Sequence, residues 1–102
     1  MSNDLIDLAE IIERQSVEDC VFPNEEVIPD DEEARKKRAR KIHKATSLGN
    51  LEQQKVHIIF KDSEGLKRLH TTIWAQTGEK IILKENMALP VQRIVDIVFQ
   101  AS

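Results

Sequence analysis

Tyrosine is absent from this chain, and Phe22, Phe60, Trp74 and Phe99 are its four aromatic residues, so any core must be built mostly from aliphatic side chains. A single cysteine, Cys20, excludes an internal disulfide and fits a reducing compartment. No apolar run approaches the roughly 18 residues that a membrane span needs. Where a signal peptide would carry positive charge and then an apolar block, the first dozen residues carry Asp4, Asp7 and Glu10. These absences lead to the expectation of a cytoplasmic protein with no membrane partner. Gly49, Gly65 and Gly78 are isolated from one another, which leaves no glycine-rich phosphate loop. There is no G-x-S-x-G turn and no convincing carboxylate pair. An enzyme is not expected, nor a cofactor, nor a small-molecule substrate. A length of 102 residues leaves room for one modest core and excludes an elaborate multi-domain assembly.

What the chain does have is charge, at 32% of residues, divided into blocks. Residues 1–33 hold twelve acidic side chains against Arg14 alone, whereas residues 34–44 hold seven basic ones and no acid. Residues 45–102 are nearly balanced, with seven bases and six acids. The net charge of −3 therefore conceals an acidic block abutting a basic one, and such neighbours either neutralise each other or seek separate partners.

The period of the apolar residues changes along the chain. Leu5, Leu8 and Ile12, with Ile6, Ala9 and Ile11, recur at helical spacing behind the capping candidates Ser2, Asn3 and Asp4. This spacing predicts an amphipathic helix within residues 1–14, marginal alone and in need of a surface to cover. Residues 15–30, with Pro23, Pro29 and scattered Val17, Val21, Phe22, Val27 and Ile28, read as an acidic extended linker. Over residues 31–48 a second helix is expected: Asp30 or Asp31 caps it, Glu32 and Glu33 occupy its first turn, and bases follow towards Gly49, the order the helix dipole favours. Its apolar positions are few (Ala34, Ala39, Ile42, Ala45, Leu48), which leaves open whether it packs or stands in solvent.

Residues 52–100 read as a small β-domain. Strands are expected near 54–61, 66–77, 80–84, 88–89 and 94–99, with a hairpin at Asp62-Ser63-Glu64-Gly65 and a tight turn after Pro90. The fold class is thus α+β: amino-terminal helices followed by a small antiparallel five-stranded barrel or curled meander with one long, bending second strand.

The run "KVHIIFKDSEGLKRLHTTIWAQTGEKIILKENMALPVQRIVDIVF", and "ALPVQRIVDI" in particular, resembles the small SH3-like or Sm-like barrels. The resemblance covers residues 54–99 and implies a binding module of unspecified ligand. The aromatic cluster of a proline-peptide groove and the glycine-centred motifs of Sm proteins are missing, so no functional residues carry over.

His43, His57 and His70 have no metal-ligand spacing, and Glu18, Asp19 and Glu25 suppress a Cys20 thiolate. Two interaction readings remain. In the first, a protein partner or a second copy of the chain docks on an apolar surface made by Leu5, Leu8 and Ile12 together with an outer sheet face carrying Ile59, Trp74 and Ile82. In the alternative, the run "RKKRARKIHK" contacts nucleic-acid phosphates through Arg35, Lys36, Lys37, Arg38, Arg40, Lys41 and Lys44. The bland reading of the same run is a solvated helix with surface pairs such as Glu32 with Lys36.

Overall fold

The computed structural model describes residues 8–99. Among these, strand β1 spans Glu10–Ile11, helix α1 spans Glu32–Glu52, and β2 (Val56–Asp62), β3 (Gly65–Thr71), β4 (Ile73–Gln76), β5 (Lys80–Leu83), β6 (Ala88–Pro90) and β7 (Ile94–Val98) follow. The class is α+β, as expected. Two sheets form, one in the order β1-β3-β2-β7 and the other in the order β4-β5-β6.

The five-stranded closed barrel is corrected in two respects: seven strands are present among the described residues, and the sheets do not close. One extra strand arises at Thr72, where the long strand expected over 66–77 breaks into β3 and β4 and passes from one sheet to the other. Thr72 is buried at this corner, its carbonyl accepts from the Lys84 N–H (3.2 Å) and its hydroxyl donates to the Gln53 carbonyl (3.4 Å). The other extra strand is β1, which lies where a helix was expected.

Residues 3–7 of that expected helix, Leu5 included, lie outside the described residues. At Glu10–Ile11 the chain is a strand. Glu10 and Ile11 pair in parallel with Lys67 and Arg68 of β3, and the Ile12 N–H donates to the Arg68 carbonyl at 3.0 Å. A helix of a dozen residues is marginal in water, whereas an open strand edge offers a row of unpaired amides and carbonyls. Lys67 adds a charged partner for Glu10 (3.2 Å), and edge pairing prevails. Ala9 is then buried with Ile59, and Ile12 packs on the main core.

The acidic stretch is a belt rather than a loose linker. Arg14–Asp19 makes a 3₁₀ turn that buries Val17, and Phe22 packs on Phe60 with ring centroids 5.9 Å apart. The Val21 carbonyl accepts from the Ser63 N–H at 2.8 Å, and the Val27 N–H donates to the Gln92 carbonyl at 2.9 Å.

Asp31 caps α1 as expected, its Oδ1 accepting from the Ala34 N–H at 2.9 Å. The helix continues through Gly49 and ends at Gln53, which takes the left-handed conformation (φ 57°). Gly49 was read as a stop, but its place inside the helix has a steric reason. A Cβ there would overlap the Ile73 carbonyl oxygen and lie 2.9 Å from Thr72 Cγ2. The missing side chain lets α1 press directly on β4. Ile42 and Ala45 enter the core with Val56, Ile58, Phe60, Leu69, Ile73, Ile81, Leu83, Leu89, Ile94 and Ile97, so α1 packs on the sheets despite its few apolar positions. As the sequence suggests, this core is almost wholly aliphatic.

Gly49→Ala tests this packing. In an open helical position the change would stabilise by about 1 kcal/mol through propensity. Here overpacking against backbone should outweigh that gain and cost a net ~1–2 kcal/mol, read as a lowered denaturation midpoint with an unchanged slope. A stabilised variant would show that α1 does not approach β4 this closely.

Candidate functional site

Helix α1 meets the sheets along the row Arg38, Ile42, Ala45 and Gly49, all buried. Spacings of three and four residues put these side chains on one stripe, so the remaining bases take the flanks and the far side. Arg38 is 6% exposed. Its Nη1 and Nη2 donate to the two carboxylate oxygens of Glu26, each at 2.7 Å, and Nη1 also donates to the Ile94 carbonyl at 2.9 Å. A two-pronged pair of this kind matches the flat guanidinium to the flat carboxylate. Burial opposes ionisation of Glu26, yet hydrogen bonds from Arg38 and the Ile28 N–H, with the Arg38 charge, hold its carboxyl below the usual range.

Lys41, at the flank of the buried stripe, donates to Asp96 of β7 at 2.7 Å. The Lys44 ammonium lies 4.7 Å from the ring centre of Phe99. Arg35 is half-buried, and Lys36, Lys37, Arg40 and Lys44 face solvent. The acidic block satisfies little of this: Glu26 takes Arg38, Glu32 touches Lys36 at 3.9 Å, and Lys37 and Arg40 have no ion pair among the described residues.

The apolar surface is dispersed. Leu8 is exposed, while Ile12 is packed on the core. Ile59 is fully buried beneath Ala9, Leu66, Val95 and Val98, so its place on an exposed outer face is corrected: the chain's own amino-terminal segment and neighbouring strands cover it. Ile82 is half-buried in the second sheet, opposite Ala75. Trp74 is 40% exposed on β4, and its carbonyl accepts from Asn50 in the last turn of α1, next to Leu51, which is 81% exposed.

Two further groupings were not anticipated. Lys67 is buried and faces Glu10 (3.2 Å), Glu64 (3.3 Å) and Asp62 (3.4 Å). Burial disfavours its charge, but the three carboxylates outweigh burial and raise its pKa. Cys20 lines the same cleft of about 280 Å³, and burial, followed by the hydrogen bond and charge of Asp62, pushes its thiol up to about 11. That thiol is therefore protonated at neutral pH and a poor nucleophile.

The second grouping is His57 and His70, directly opposite each other on β2 and β3. Their rings are parallel within 3° and 4.0 Å apart between centroids. Burial lowers the pKa of both; His70 and Arg68 add to the effect at His57, and Lys55 and Arg68 at His70. Two unit charges 4 Å apart repel by about 4 kcal/mol at an effective dielectric of 20, so the stack favours neutral rings. The hairpin contained this pairing: counting five positions outward from the Asp62–Gly65 pair on both strands brings His57 opposite His70. No group of three or more His, Cys, Asp or Glu suited to a metal ion occurs among the described residues.

A groove of about 620 Å³ is lined by Phe22, Glu26, Arg38, Lys80, Pro90 and Gln92 among others. Compared with protein-family models, with curated proteins and with solved structures, the chain matches none.

Replacing Glu26 by Ala should destabilise the fold by on the order of 3 kcal/mol in chemical denaturation, because it leaves the Arg38 guanidinium buried and uncompensated. Replacing Lys36 by Ala should cost no more than a few tenths. Equal effects would mean that Arg38 is not buried. Acid should also destabilise the protein. A histidine whose folded pKa is below its ordinary 6.5 withholds a proton that the unfolded chain takes up, so stability declines as pH falls below that value. Glu26 and Asp62, held below their ordinary 4.5 and 3.8, continue the decline at lower pH. Thermal melts of the native chain and of H57Q/H70Q should differ in the upper part of this range and run parallel in the lower part; identical profiles would refute the histidine contribution.

Proposed function

We propose that this protein is a non-enzymatic interaction module that binds a polyanion, the phosphate backbone of a nucleic acid, along the solvent face of α1. The observation that carries the reading is the rotation of the helix. With Arg38 turned inward and Lys41 held by Asp96, Lys36, Arg40 and Lys44 recur at four-residue intervals on the exposed side, with Lys37 beside them. These bases extend over roughly 12 Å of helix axis. The acidic belt, which could have occupied them, is tied instead to the Ser63 turn, Gln92 and Arg93. Lysine and arginine so arranged neutralise successive phosphates and release counterions, with little dependence on sequence. The likeness of residues 54–99 to small SH3-like or Sm-like barrels belongs to the same proposal, as a scaffold for binding.

A second reading has one observation in its favour: exposed Trp74 and Leu51 are brought to one region by the Asn50 bond to the Trp74 carbonyl. An indole on an open surface anchors protein interfaces, and a protein partner or second copy would dock there.

Titration with a mixed single-stranded RNA and DNA pool separates the two. Binding at low salt should weaken steeply as salt rises, and K37E/R40E should abolish it, whereas W74S/L51S should leave it intact. No binding at low salt removes the polyanion reading. Self-association by light scattering that is lost in W74S/L51S and holds at high salt would establish the second.

A further inference from the structure

The stacked histidines lie on the face of the β2–β3 hairpin turned away from the main core, among positive charges. Lys55 precedes β2, and Arg68 shares the face of β3 next to Ile59. The nearby acids are engaged elsewhere: Asp96 of β7 is held by Lys41, and Glu10 of β1 is held by Lys67. His57 is half-buried, and its buried Nδ1 has no hydrogen-bond partner among the described residues, while His70 and Lys55 are exposed and Arg68 is half-exposed. Parallel rings so close would repel if both were charged, and among the described residues no carboxylate pairs with them to offset that repulsion. An oxyanion is the missing counter-charge. It would accept from the imidazole N–H groups, from the Arg68 guanidinium and from the Lys55 ammonium.

We propose that the stacked His57–His70 pair, flanked by Lys55 and Arg68, is a binding site for a phosphate group. The site is independent of α1: the phosphate is either a free ion or a unit of a nucleic-acid backbone. Binding draws protons from solvent onto the rings, so affinity rises as pH falls, by up to tenfold per pH unit for each proton taken up.

The test follows the imidazole C–H resonances of the full chain by NMR during titration with inorganic phosphate at about pH 5.5 and about pH 8, on either side of the ordinary histidine range. Sulfate, whose charge is constant over that interval, separates titration of the protein from titration of the probe. The expected result is saturable movement of both His57 and His70 signals with either anion, at least several-fold tighter at the lower pH. His43, which lies on α1 and bonds to Gln76, reports binding to the helix separately from this site. R68Q, an exchange at a partly exposed side chain, should remove most of the effect without changing the rest of the spectrum. An oligonucleotide that moves the pair where inorganic anions do not, in the native chain and in K37E/R40E alike, identifies the backbone as the source. Inorganic phosphate that moves the pair while oligonucleotides do not bind would sink the α1 reading and leave this site standing. Signals of His57 and His70 that do not move with any anion, or that move equally in R68Q, overturn the proposal.

Discussion

Arg38 sets the orientation on which the rest of the molecule depends. A guanidinium withdrawn from water is costly unless its charge is compensated, and here Glu26 and the Ile94 carbonyl meet its two terminal nitrogens, while Nε has no partner among the described residues. That requirement fixes the rotation of α1 about its own axis. Once Arg38 points inward, Ile42, Ala45 and Gly49 must follow on the same stripe, and the remaining bases are carried to the flanks and the far side. The same contact fastens the acidic belt to the helix. An interaction usually weak as a source of net stability thus acts here as a specificity device, choosing one face of a helix whose apolar pattern alone would not decide.

A second ionic node, Lys67 with Glu10, Asp62 and Glu64, performs the corresponding task at the hairpin end. Between the two nodes the amino-terminal third is held largely by charge, backbone bonds and a few apolar anchors such as Val17 and Phe22. This suits a chain with four aromatic residues. An aliphatic core of modest size leaves long segments that cannot be secured by burial, and complementary charge on opposing elements supplies the attachment.

Most of the carboxyl half was legible in the sequence because its signals are local. The positive φ of Gly65, the alternation of Val56, Ile58 and Phe60, and the turn after Pro90 each act within a few residues. The strand positions and the capping role of Asp31 follow from such rules. What escaped depends on partners far along the chain. Helical spacing through Ile11 and Ile12 is outcompeted by the edge of β3, more than fifty positions away. Gly49 resembles a helix terminator until the approach of Ile73 is known. Arg38 and Lys41 look like members of one basic run, and only Glu26 and Asp96 distinguish them from Lys37 and Arg40. Thr72, inside a run of β-prone residues from Leu69 to Ala75, gives no local sign of the corner it makes. Of the candidate surfaces, the basic helix was visible as composition, but which of its bases reach solvent is a property of packing.

The parallel pairing of β1 carries an implication for the order of assembly. Glu10 and Ile11 precede β2 and β3 along the chain, yet the edge they occupy does not exist until β2 and β3 have paired. Closing so long an intervening segment has an entropic cost that local hairpins avoid. The residues of β1 therefore wait, undocked, while the hairpin organises, and their arrival finishes the sheet instead of starting it.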